Sequence, residues 1–167
     1  MAEVGYKYKG EDVIFLVEIE DELGEQTLVR PFDQTDGGHN ISADELEVST
    51  KDRTGSDYGD ITETRSFEGE LVLGDPFINA IKKAMRNKQF VKIYEVDLIT
   101  NEAEYGMHMI SDFDLSYSNG DFATYSLDAT LFGNTHETTL TEAEIPEGAP
   151  DLITEDGEDD QGNGVEG

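Results

Sequence analysis

Met107-His108-Met109-Ile110-Ser111-Asp112-Phe113-Asp114-Leu115-Ser116-Tyr117 runs into Ser118-Asn119-Gly120-Asp121, and the chain returns through Phe122-Ala123-Thr124-Tyr125-Ser126-Leu127-Asp128-Ala129-Thr130-Leu131-Phe132. In the first run Met107, Met109, Phe113, Leu115 and Tyr117 oppose His108, Asp112, Asp114 and Ser116. That two-residue alternation is the pattern of a half-buried strand. Asn119 and Gly120 tolerate the positive φ of a tight turn, so the segment reads as a β-hairpin. Tyr125, Leu127, Ala129 and Leu131 then share one face of the returning strand.

Outward from this hairpin the pattern stays β. Asp12–Glu20 alternates with Val13, Phe15, Val17 and Ile19 on one face. Its other face starts apolar at Ile14 and Leu16 and turns acidic at Glu18 and Glu20, so one end is expected to be buried on both sides. Thr27–Phe32, Glu45–Ser49, Ile61–Leu73 and Phe90–Leu98 read as further strands, and Asp36, Gly37, Gly38 and Asn40 as a turn. In Ile61–Leu73, Phe67, Leu71 and Leu73 face one way, and Thr62, Thr64, Ser66, Glu68 and Glu70 the other. One helix interrupts the strands over about residues 75–88. Asp75 is placed to cap it and Pro76 suits its first position, while Phe77, Ile78, Ile81, Ala84 and Met85 form a stripe at helical spacing.

Composition narrows the function. The chain has 167 residues, no Cys, no Trp and a formal net charge of −28. Absence of Cys removes disulfides, thiolate metal sites and thiol nucleophiles. The charge opposes tight binding to DNA or anionic lipid, which needs Lys and Arg to displace counterions. No apolar run is long enough to span a membrane, and the first residues do not read as a secretory signal. His39, His108 and His136 lack metal-site spacing and are expected to be surface or hydrogen-bonded residues. No nucleotide-binding, nucleophile-elbow or zinc-protease motif occurs. No catalytic role and no cofactor are expected, and the lack of Trp weakens a sugar-active enzyme.

Charge is distributed unevenly. All 11 Lys and Arg lie within residues 1–92, and residues 93–167 carry 19 acids and no Lys or Arg. Lys82, Lys83, Arg86 and Lys88 sit toward the end of the expected helix. They either complement its dipole on a solvated face or form a docking surface for an acidic neighbour, such as a second copy. Residues 141–167 hold ten acids, two prolines and five glycines, and read as a mobile tail that is inert or orders on a partner. Residues 50–60, Thr-Lys-Asp-Arg-Thr-Gly-Ser-Asp-Tyr-Gly-Asp, read as a long loop. It is either a solvated tip or a contact segment anchored by Tyr58.

The order of these pieces resembles the major tail proteins, or tail-tube proteins, of long-tailed phages with non-contractile tails. The likeness runs from about Lys9 to Phe132. It is carried by Gly10-Glu11-Asp12-Val13, Ile41 to Asp52, Phe67-Glu68-Gly69-Glu70-Leu71, the helix, Phe90-Val91-Lys92-Ile93, Ile110 to Ser116 and Phe122 to Gly133. The resemblance implies two packed antiparallel sheets, a tail-tube-like β-sandwich, flanked by one helix. The domain would span residues 11–140 between an N-terminal arm (1–10) that helps join subunits and the acidic tail.

It implies a virion tail protein, made in the host cytoplasm, that forms homohexameric rings stacked into a tube. The lumen would hold the tape-measure protein and later pass genome DNA, with tail-end proteins closing the tube. Thr50, Lys51, Asp52, Arg53, Asp57, Tyr58 and Asp60 would touch the next ring. A lumen lined by carboxylates would let a duplex slide rather than bind, and Glu68, Glu70, Asp112 and Asp114 are candidates for that lining or for an outer surface. Two alternatives stay open. One is an acidic β-sandwich adaptor for a basic partner, and the other explains the acidity by a high-salt host.

Overall fold

The computed structural model describes residues 3–21 and 23–150. The strands are β1 (Val13–Glu20), β2 (Gln26–Val29), β3 (Gln34–Ser49), β4 (Thr54–Glu70), β5 (Val91–Asp97), β6 (Glu102–Ser116) and β7 (Thr124–Thr139), with one helix, α1 (Phe77–Arg86), between β4 and β5. The protein is mainly β with a single helix, as expected. The expected packed antiparallel β layers are present with one difference in connection: their strands join into one seven-stranded antiparallel sheet in the order β2-β1-β5-β6-β7-β4-β3.

Strand length explains the difference. β6 and β7 have 15 and 16 residues, long enough to pair with β5 at one end and with β4 at the other. Register shifts at Tyr105/Met107 and Ile110/Asp112 add local twist. The sheet therefore folds over on itself, and β1 comes to rest against β3 and β4. The Phe15 ring stacks on Phe67 at 5.0 Å and lies directly on the backbone of Gly37, where a Cβ would fall 2.5 Å from the ring. The Phe15 N–H donates to Gln34 Oε1 (3.0 Å), and Gln34 Nε2 donates to the Phe15 carbonyl (2.8 Å).

The main core lies inside this fold. Phe15, Val17, Phe67, Ile93, Ile110, Tyr125, Leu127 and Ala129 meet Phe77 and Ile81 of α1. The helix stripe faces inward as its spacing predicts. One Asp75 oxygen accepts the Phe77 N–H and the other the Phe32 N–H, both at 3.0 Å, so one carboxylate ties the helix start to the segment after β2. Burial raises the Asp75 carboxyl above its ordinary pKa, against the lowering effect of those two bonds.

Several boundaries move. Residues 36–40 are strand, because β3 pairs with β4 from Gln34 onward. The expected loop 50–60 shrinks to a turn at residues 50–53, where Thr50 Oγ1 accepts the Asp52 and Arg53 N–H groups. Thr54–Asp60 is strand, held by pairing with β3 despite its Gly and Asp content. β4 ends at Glu70, not Leu73, whose side chain is fully exposed.

The domain also continues past residue 140. Leu140 packs with Ile14, Leu16, Val96 and Ala103, and Ile145 lies against that cluster. This second core buries the other face of β1, as its apolar start predicts. Thr141 and Glu144 cap a short 3-10 turn there, and Arg30 Nη1 donates to the Pro146 carbonyl at 3.5 Å. The rest of the expected tail, 151–167, lies outside the described residues.

Candidate functional site

β4 pairs with β7 only between Thr64 and Glu70. Beyond that point residues 54–63 and their β3 partners, 41–49, pair only with each other among the described residues, and form a two-stranded arm. At about 3.3 Å per residue the arm extends about 30 Å. Ile41 and Ala43 share a face with Ile61, and Tyr58 lies farther out opposite Glu45. Ile41, Ile61 and Tyr58 are exposed, Tyr58 to 76%. An isolated two-stranded ribbon is marginal in water, and this one leaves an apolar row exposed. Of the residues named from the sequence for this contact, Thr50, Lys51, Asp52 and Arg53 form the tip, and Asp57, Tyr58 and Asp60 lie along β4.

The four carboxylates named for the lumen come together. Asp112 pairs with Asp128, Asp114 with Ser126, Ser126 with Glu68, and Glu68 with Asp36. Cross-strand partners share a face, so Asp36, Glu68, Glu70, Asp112, Asp114 and Asp128 all lie on one face across β3, β4, β7 and β6. That face is opposite the one that carries Phe67, Phe113 and Leu127 into the core. A hydrogen bond with Asp36 raises the Glu68 carboxyl, and the nearby charges of Asp36 and Asp128 add to the effect. Asp36 and Asp128 were missed in the sequence, although Asp128, next to the inward Leu127, sits at outward parity.

The basic residues lie across the sheet from this face. α1 packs on the core side, where Lys83, Arg86 and Lys88 are exposed and Lys82 is half-buried. Among the described residues, the recorded ion pairs involve His39, Arg65 and Lys92, not this cluster.

A feature the sequence reading missed lies at the root of the arm. Arg65 is completely buried. Its Nε donates to Glu95 (3.0 Å), Nη1 to His108 Nε2 (3.1 Å), and Nη2 to Glu63 (3.2 Å) and Glu104 (3.1 Å). His39 bridges Glu63 (2.6 Å) and Glu95 (2.9 Å). His108 Nδ1 donates to the Gly106 carbonyl at 2.8 Å, which leaves Nε2 as the acceptor for Arg65. Burial, reinforced by the Arg65 charge, holds the His108 pKa at about 4, against the opposing pull of the Gly106 carbonyl. Ligand atoms of His39, Glu63 and Glu104 lie within 4.8 Å of one another. The Arg65 guanidinium already supplies the cation between the two carboxylates.

His108 is inside because of the irregularity at Ile110/Asp112. It switches the inward set from His108 and Ile110 to Phe113 and Leu115, and leaves Met107 and Met109 outside. The uninterrupted alternation expected from Met107 to Tyr117 is thereby corrected.

The family model for phage tail tube proteins matches residues 7–137. The chain belongs to the phage tail tube protein family. It is a structural protein of the tail tube and a component of the virion tail. No curated protein matches the sequence significantly. The fold is similar to that of a gene transfer agent tail refined with C6 symmetry (TM-score 0.67, 14% identity, covering 80% of this chain and 100% of that one). The SPP1 tail tube is also similar (TM-score 0.61, 18% identity, 89% and 92% covered). So is a chain of the sheath–tube complex of an extracellular contractile injection system (TM-score 0.55, 13% identity, 82% and 95% covered). Tail tube membership replaces the adaptor reading.

Proposed function

We propose that this tail tube protein closes into hexameric rings through the two free edges of its long-strand layer, and that the rings stack through the arm. The observation that carries this reading is the geometry of those edges. Among the described residues, β3 has a partner on one side only, and β6 beyond His108 is unpaired on the side away from β7. Between them run β6, β7, β4 and β3, each antiparallel to the next, so β3 of one copy meets β6 of the next in antiparallel sense. Closure removes both edges, which would otherwise invite open-ended aggregation. The six-fold symmetry of the gene transfer agent tail supports the count.

In that ring the helix side is outermost and the acidic face lines the lumen. A duplex, with a phosphate charge about every 1.7 Å of axis, finds no counterion to release there and passes without being held. The tube belongs to a non-contractile tail, takes up a tape-measure protein before DNA, and is closed by tail-end proteins. Subunits are made in the host cytoplasm. The tip and β4 residues of the arm contact the adjacent ring, and the residues before Gly10 help join subunits. The basic end of α1 docks on an acidic surface of a neighbouring copy.

Electron microscopy of the purified chain tests this reading. Wild type at high concentration should give six-fold rings or tubes. A variant in which residues 43–61 are replaced by Asn-Gly, joining Ser42 to Thr62, should fold and form no long tubes. Monomers alone from wild type overturn ring closure, and normal tubes from the variant overturn the arm's role.

A further inference from the structure

We propose that Arg65 and the five side chains around it position the arm, fixing its angle to the body so that it meets the next ring in one pose. The assembly half of this inference rests on the proposed function; the positional half does not.

The cluster occupies the fork of the sheet. β4 leaves β7 at Thr64/Thr130, while β6 and β7 stay paired as far as Glu102/Thr139. From that point the ribbon of β3 and β4 diverges from the layer of β5, β6 and β7. The apolar core stops there too: Ala129 and Ile110 are buried members, and the next residues on that face are Arg65, paired with Ala129, and His108. Charged groups then fill the gap. Arg65, His39 and Glu63 come from the arm's root, and Glu95, Glu104 and His108 come from the facing layer. Every bond across the fork joins a residue at the root of the arm to the facing layer: His39 to Glu95, and Arg65 to Glu95, Glu104 and His108.

The chemistry suits positioning better than stabilisation. Apolar packing is non-directional and would hold the layers together at a range of angles. A buried ion network gains little over an apolar filling of the same volume, because desolvation offsets its attraction. A planar guanidinium with partners on all three nitrogens instead sets both distance and direction. The arm needs such a constraint because, among the described residues, its outer strands pair only with each other.

The absence of Cys makes the test clean. Spin labels on Lys51→Cys at the tip and Asn87→Cys after α1 report the arm-to-body distance in the unassembled subunit by pulsed EPR. With Arg65 and His39 intact the distribution should be a single narrow peak. Arg65→Met should broaden it at least twofold while far-UV circular dichroism stays unchanged, and should raise the protein concentration needed for tubes about tenfold. His39→Gln, which leaves Arg65 covered, should broaden it less and serves as the readout if Arg65→Met fails to fold. Arg65→Lys keeps the charge but loses the fork, and should not restore the narrow peak. A narrow peak in both His39→Gln and a folded Arg65→Met overturns the positioning role. Broadening with tubes at the wild-type concentration overturns only its link to assembly. Failure of wild type to form tubes overturns the ring reading and leaves the EPR result to judge the arm.

Discussion

Lowering the pH should act on this protein through one identifiable imidazole. His108 is fully buried, donates from Nδ1 to the Gly106 carbonyl and accepts at Nε2 from Arg65. Its pKa is about 4 in the folded chain, and the ordinary value is 6.5. The folded state therefore binds the proton less readily than the unfolded state, and stability falls as pH drops from 6.5 toward 4. The linkage is worth about 2 kcal/mol at pH 5 and about 3 kcal/mol at pH 4. Above pH 7 the histidine is neutral in both states and contributes no slope.

Burial sets the sign, and the groups facing His108 adjust the size. Arg65 opposes a second positive charge, and His39 adds to that effect, while Glu63 pulls the other way without overcoming burial. The assay is urea unfolding of the unassembled subunit at half-unit pH steps, comparing wild type with His108→Gln. Glutamine can still accept from Arg65 but has no proton to gain. The variant should start about 1 kcal/mol less stable at pH 7, from the lost bond to Gly106, and overtake wild type near pH 5.5. The many carboxylates titrate alike in both proteins and cancel in the difference. Parallel curves from pH 7 to 4 would show that His108 is protonated in the folded state at no cost, and would refute the reasoning.

Gly69→Ala should cost about 1–3 kcal/mol, measured by the same unfolding, because its Cβ would fall 2.5 Å from the Asp33 carbonyl oxygen and 2.9 Å from Tyr125 Oη; an unchanged midpoint would mean β3 and β4 separate easily there. Removing residues 151–167 should leave the melting temperature within a degree or two, whereas ending the chain at Thr139 strips Leu140 and Ile145 from the second core and should cost about 2–4 kcal/mol. Equal losses from the two truncations would place stabilising contacts beyond Pro150. Fluorescence anisotropy with duplex DNA at physiological salt should show no binding, and micromolar affinity would undo the argument for an acidic sliding surface.

The parts legible in the sequence are those where a single period runs unbroken. Phe77, Ile81 and their neighbours recur at helical spacing, and the helix appears where they place it. Asn119-Gly120 announces its turn, with Gly120 at φ +93°. Ile14 and Leu16 reveal a strand buried on both sides. Legibility fails where a distant partner decides the local structure. Gly37 reads as a turn residue, yet it is a strand residue with no Cβ because the Phe15 ring occupies that space. Thr54–Asp60 reads as loop because its β partner, not its composition, makes it strand. Met107 and Met109 read as core because the irregularity at Ile110/Asp112 reverses the face of the residues just before it. Arg65 did leave a signal. It shares parity with Phe67 on a strand whose other face is polar, which points it inward, but its four partners come from three strands and no spacing reveals them.

The same irregularity links the two polar features. By switching the inward set of β6 from His108 and Ile110 to Phe113 and Leu115, it points Asp112 and Asp114 outward beside Asp128. Regular alternation from His108 would have sent both aspartates into the core, where neither has a cation to meet. The single extra residue thus lets one strand give Arg65 a neutral acceptor at one end and give the open face two carboxylates at the other. It lies close to the place where β6 loses β5 as a partner and its edge becomes free. Fold, buried cluster and acidic face are therefore set within about four residues of one strand. Deleting Ser111 would remove the extra residue and the shift together, and would leave His108, Ile110, Phe113 and Leu115 inside and Asp112 and Asp114 outside by simple alternation. With Ser111 present, the irregularity is what keeps the charge pattern on either side of it compatible with one core.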